Sequence, residues 1–150
     1  MSRCNKSECV ETCKQDWEEN GSRCYFWSKK QKSWWAAEEF CKKEGGHLAS
    51  VTSNATNDYI MSERSNRSIP FLWIGGSDLE KEGDWKWTDG CSPFQFTFWQ
   101  QDQPDDFNSQ DCLRYHREDL KWFDYWCKNE ATFLCSQQLC SGKYFNFLAQ

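Results

Sequence analysis

The chain has 150 residues, of which 38% are hydrophobic and 17% aromatic, and it carries ten Trp and ten Cys. A net charge of −5 and a pI near 5.1 argue against nucleic acid as a partner, because nucleic-acid binders are usually basic. Ten cysteines argue against a reducing compartment, and a domain of this length buries a real core, here with large rings supplying much of the burial.

In chain order, residues 1–12 read as a polar neck or stalk carrying Cys4 and Cys9. Residues 13–140 read as one domain, since no repeat, low-complexity block or Pro/Gly-rich linker divides them, and 141–150 form a C-terminal tail. No apolar leader and no bilayer-length run is present. The expected location is extracellular, as a mature secreted form or as the ectodomain of a single-pass membrane protein. N-glycosylation triplets at Asn5, Asn20, Asn54 and Asn66 agree with an oxidising compartment.

Ser33 caps an expected helix through Trp34, Ala37, Phe40 and Cys41, stopped by Gly45 and Gly46. His47 then begins a strand in a structural role. Ser53 caps a second helix through Asp58, Ile60 and Met61 to about Arg64, broken by 66–70. The apolar run 71–75 and the alternating 84–88 predict strands, as do 112–115, 121–124 and 132–135. His116 is expected in a solvated loop.

Residues 89–110 show little periodicity and many turn formers. A loop this long in a compact domain is usually functional. Its segment from Gln103 to Cys112 crowds carboxylates and carboxamides with no histidine nearby, a donor set suited to a hard cation such as calcium rather than zinc. No Lys or Arg lies between Cys91 and Cys112, so the acids lack a cation close in sequence to relieve their repulsion.

Over nearly its whole length the sequence resembles the C-type lectin-like domain family. The resemblance rests on Trp73-Ile74-Gly75-Gly76, on the run Glu82-Gly83-Asp84-Trp85-Lys86-Trp87-Thr88-Asp89-Gly90, and on Gln103-Pro104-Asp105. Asp111-Cys112 and Trp122-Phe123-Asp124, followed by Cys127 and Cys135, complete it. It implies an α+β fold, two helices flanking antiparallel sheets with a long calcium-supported loop region. It also implies disulfides Cys41–Cys135, Cys112–Cys127 and Cys13–Cys24, with Cys9–Cys140 joining the neck to the C-terminal end. Cys4 and Cys91 remain, either as an interchain bridge making a disulfide-linked homodimer or as an internal bond.

For the calcium that buttresses the loop, the resemblance implies Asp78, Glu82, Asp106, Gln110 and Asp111 as ligands. For a second, sugar-contacting calcium it implies Gln103, Asp105 and Asp124, with a galactose-type preference. There Gln110 stands in place of a glutamate and Phe123 in place of an asparagine, which weakens the second site. The expected ligand-contacting residues are Gln103, Asp105, Phe107, Phe123, Asp124 and Tyr125, with Phe107 placed to stack on a sugar face.

No serine elbow, zincin helix or phosphate loop is present, and carboxylates committed to a metal are poor acid catalysts. The expected function is therefore non-enzymatic, a glycan or glycoprotein-binding module. A protein-recognition receptor using the aromatic cluster of Tyr115, Phe123, Tyr125 and Trp126 is the alternative. Ice binding ranks third, since the scattered threonines form no regular array.

Overall fold

The computed structural model describes residues 8–106, 109–117 and 121–140. Helix α1 (Trp34–Lys43) starts where Ser33 accepts a hydrogen bond from the Ala36 amide at 3.2 Å and buries Trp34, Ala37, Glu38 and Cys41 on one face. It ends in a Schellman turn: the Gly46 amide donates to the Cys41 carbonyl at 2.9 Å and that of Gly45, at φ 93°, to Lys42 at 3.0 Å.

Helix α2 (Asn54–Arg67) is capped by Ser53 and buries Asn57, Ile60 and Arg64. It runs three residues beyond the expected end. Proline steers the residue before it, here Ile69, away from helix and leaves the earlier residues free to be helical, so Asn66 stays helical and Ser68 closes the helix at φ 54°. Arg67 fixes the last turn by pairing with Glu63 at 3.0 Å and with Glu18.

Among the described residues eight strands form the sheet: β1 (Glu18–Asn20), β2 (Arg23–Trp27), β3 (His47–Leu48), β4 (Phe71–Ser77), β5 (Lys86–Trp87), β6 (Cys112–His116), β7 (Trp122–Tyr125) and β8 (Thr132–Gln138). Their main order is β1-β2-β8-β4-β6-β7, with β3 on β8 and β5 on β4. All pairings are antiparallel except the parallel β4–β8 contact. The hairpin β1–β2 was not anticipated. Its first strand is exposed throughout and offers no alternation between buried and solvated faces to read. His116 also differs from expectation: it ends β6 half-buried, its ring 4.3 Å from Phe123 and 5.0 Å from Phe71.

The core has two lobes. One packs Trp34, Ala37 and Cys41 of α1 against Trp73 and Phe133, and the other gathers Ile60, Leu72, Ile74, Leu113, Tyr115 and Trp122 below the long loop. Gly75 lies where they meet. A Cβ there would sit 2.5 Å from the Leu48 carbonyl oxygen and 2.9 Å from Thr88 Cγ2, so only glycine lets β4 pass this closely.

Disulfides Cys9–Cys140, Cys13–Cys24, Cys41–Cys135 and Cys112–Cys127 are formed, the pairs the resemblance implies. Cys91 is disulfide-bonded too; Cys4 and Asn5 lie outside the described residues. Asn20, Asn54 and Asn66 are all exposed. Among the described residues no helix is long and apolar enough to cross a membrane.

Buried Glu38 ties α1 to β3 and β5. Its carboxylate accepts from the Leu48 amide at 2.9 Å and the Thr88 hydroxyl at 2.7 Å, and meets His47 Nδ1 at 2.8 Å. That hydrogen bond, opposed by burial and aided by the Glu38 and Asp89 charges, raises the His47 pKa above 6.5. A histidine raised on folding adds stability that is complete below its unfolded pKa and is lost as pH rises through the folded value. His47→Gln is therefore expected to lower the urea midpoint more at pH 5.5 than at pH 9. An equal drop at both values refutes this account of His47.

Candidate functional site

The β4 strand delivers Asp78 just past its end. The turn that follows brings Glu82 back, with the Gly83 amide donating to Asp78 Oδ2 at 2.9 Å. Asp111 enters from the residue before β6, its carbonyl accepting from the Asp78 amide at 3.1 Å. Asp106 reaches in from the long loop at φ 52°, and its carbonyl accepts from the Ser109 amide at 3.2 Å.

One carboxylate oxygen from each of Asp78, Glu82, Asp106 and Asp111 lies within 4.8 Å of all the others. Desolvation, then the hydrogen bond and charge of Asp78, raise the Asp111 carboxyl and push Glu82 up to about 7, with Asp106 adding to the rise at Glu82. Like charges held this close disfavour one another's ionisation. Asp78 Oδ1, Asp106 Oδ1 and Asp111 Oδ1 are buried without a hydrogen-bond partner among the described residues. An all-carboxylate set with unsatisfied inward oxygens fits an oxygen-seeking divalent cation. Gln110 is buried beside this set.

Asp106 also couples the cluster to a second group. Its amide donates to Asp124 Oδ2 at 2.6 Å, while Gln103 Nε2 donates to Asp105 Oδ2 at 3.1 Å across Pro104. Burial raises the Asp124 carboxyl to about 6, opposed by backbone hydrogen bonds from Asp106 and Asp105 and aided by the Asp105 charge. Asp124 Oδ1 and Gln103 Oε1 are likewise buried without partners among the described residues. Phe107 lies outside the described residues.

The expected aromatic ledge is divided by strand alternation. Trp122 and Asp124 are buried toward the loop side of β7. Phe123 and Tyr125 instead meet His116 and Arg114 on the other face: Phe123 stacks on the His116 ring, and the Arg114 guanidinium lies 3.5 Å from the Tyr125 ring centroid. Phe123 and Tyr125 therefore do not share a face with Asp124. Tyr115 is fully buried, its hydroxyl donating to Asn57 Oδ1 at 2.6 Å, so it belongs to the core. Arg114 was not singled out from sequence, although period-two alternation in β6 sets it and His116 apart from Leu113 and Tyr115.

The loop is pinned rather than free. The Trp122 amide donates to the Phe98 carbonyl at 2.9 Å, and the Gln100 amide donates to the Trp122 carbonyl at 3.0 Å. Phe94, Phe96, Phe98 and Trp99 close over Trp122, with ring centroids 5.7–6.4 Å away.

An α+β frame closed by disulfides, with a long loop folded onto it and an acid cluster at the loop base, defines a recognition domain. The chain belongs to the C-type lectin domain family: the family model described as Lectin C-type domain matches residues 30–137. Members of this family are non-enzymatic binding modules. The galactose-specific lectin nattectin of Thalassophryne nattereri is 33% identical over 135 residues, covering 85% of this chain and 82% of that protein. Human C-type lectin domain family 17, member A is 30% identical over 130 residues; they are 87% of this chain but a third of that protein's length. Among solved structures, a calcium-independent type II antifreeze protein superposes with a TM-score of 0.77 at 31% identity, covering 86% of this chain and 96% of its own.

Proposed function

We propose that this chain is an extracellular glycan-recognition module of galactose-type preference whose long loop is supported by calcium. The convergence of Asp78, Glu82, Asp106 and Asp111 within 4.8 Å carries this reading, with the Asp106 amide linking that cluster to Asp124. Bound calcium would neutralise the crowded acids and fix the loop. Gln103, Asp105 and Asp124 supply the donors of the adjoining sugar-contact site, and similarity to a galactose-specific lectin supports the preference. Gln110 joins the buttressing set in this reading, and the exposed Asn20, Asn54 and Asn66 side chains are glycan acceptors. Residues 13–140 form the recognition domain, with 1–12 as its neck and 141–150 as its tail.

The test is retention on galactose-agarose in calcium, with release by chelator. Passage of the folded protein through the column in calcium overturns the reading. A second reading, ice binding, draws on the similarity to an antifreeze protein; thermal hysteresis unaffected by chelator would support it instead.

A further inference from the structure

On the face of β6 and β7 turned away from Asp124, a cleft of about 960 Å³ opens between the start of β4, the end of α2 and the segment 129–132. Although the chain carries a net charge of −5, Lys29, Arg67, Arg114 and Arg117 line this cleft, and Glu130 is the one carboxylate among its described lining residues. Arg67 is already paired with Glu18 and Glu63. Lys29, Arg114 and Arg117 have no ion pair among the described residues.

Arg114 is the unusual member. It is 4% exposed, and burial pulls its pKa down to about 10. Its guanidinium is held by ring faces, 4.3 Å from the Phe71 centroid and 3.5 Å from that of Tyr125. Nη2 lies 3.3 Å from His116 Nδ1, while Nε is buried without a partner among the described residues. Ring faces offset part of the cost of burying a cation, but they supply no carboxylate counter-charge. A buried arginine fork is suited to bidentate recognition of an oxyanion. Trp27 and Phe71 add ring surface to the same walls, suited to the apolar face of a sugar.

We propose that this cleft is an oxyanion subsite, receiving the sulfate ester or uronic carboxylate of an acidic saccharide with Arg114 as its principal contact. The saccharide half rests on the glycan reading above; the oxyanion half does not. Asp124 and Tyr125 are adjacent in β7 but serve opposite faces, so one strand separates the subsite from the loop site.

Calorimetric titrations at fixed ionic strength with chelator present test this, using galactose 6-sulfate, glucuronate, inorganic sulfate and unmodified galactose. Galactose 6-sulfate or glucuronate is expected to bind in chelator and galactose is not, with at least a tenfold loss in Arg114→Met and a severalfold loss in Lys29→Ser/Arg117→Ser. Three results overturn the proposal: no binding of either acidic sugar, undiminished binding to a folded Arg114→Met, or inorganic sulfate binding as tightly as galactose 6-sulfate with glucuronate silent. Should Arg114→Met fail to fold, undiminished binding to the double variant overturns it. Failure of calcium-dependent galactose retention alone strikes the loop-site reading and leaves the acidic-sugar titrations to decide this one.

Discussion

Asp106→Ala is expected to remove nearly all calcium-dependent stabilisation and galactose retention together, weakening calcium affinity by about a hundredfold or more. Asp106 serves both groups, its carboxylate in the acid cluster and its amide on Asp124 Oδ2. Removing the carboxylate takes away an anionic ligand and also loosens the turn that presents that amide. In the wild type, calcium at a hundred times its dissociation constant should add about 2.7 kcal/mol by mass action, raising the melting temperature by roughly 5–10 °C. The variant should show almost none of that rise at the same concentration. Asp84→Ala, an exposed acid whose ion partner is Lys86 at 3.7 Å, should retain it in full. A calcium-induced rise of equal size in Asp106→Ala and wild type, with galactose retention intact, overturns the assignment.

The two helices were legible because local signals fix them. Ser33 and Ser53 cap them as expected, and the Trp34, Ala37 and Cys41 spacing is the buried face of α1. The β1–β2 hairpin was not legible, because β1 has no buried face and β2 is held in the sheet by a strand distant in sequence, Cys24 pairing with Gln137. The acid cluster was legible as a set of residue types, since Asp78 and Glu82 sit one short turn apart and Asp106 and Asp111 lie five residues apart. What composition could not give was how Phe123, Asp124 and Tyr125 divide between two faces. That division depends on the register Leu113↔Asp124 and Arg114↔Phe123, and a slip of one residue would exchange the faces.

This register accounts for how a strand of four residues serves two purposes. On one side Trp122 anchors the loop and Asp124 receives the Asp106 amide; on the other, Phe123 and Tyr125 hold His116 and Arg114. Burial, then the charges of Arg114, Arg117 and Arg64, hold His116 down at about 4. It is thus neutral near pH 7, and its Nδ1 can accept from Arg114.

Trp122→Ala is expected to be the most destabilising single change in the long-loop half of the domain. The ring is fully buried and contacts Trp87, Tyr115 and the loop aromatics Phe94, Phe96, Phe98 and Trp99 at centroid distances of 5.7–6.4 Å. Deleting a buried Trp costs about 3–5 kcal/mol, or roughly 10–15 °C in melting temperature for a domain of this size. The main-chain bridge to Phe98 and Gln100 does not depend on the side chain, but the four loop rings lose the surface they cover. The loop segment leading to Gln103 and Asp106 should then open more readily, so calcium affinity should fall even though no ligand has been touched. Trp122→Phe, which keeps a ring in the same place, should recover part of both losses. Urea denaturation and calcium titration on the two variants check this. If Trp122→Ala loses stability but binds calcium as tightly as the wild type, the aromatic cluster does not hold the ligand-bearing loop in place.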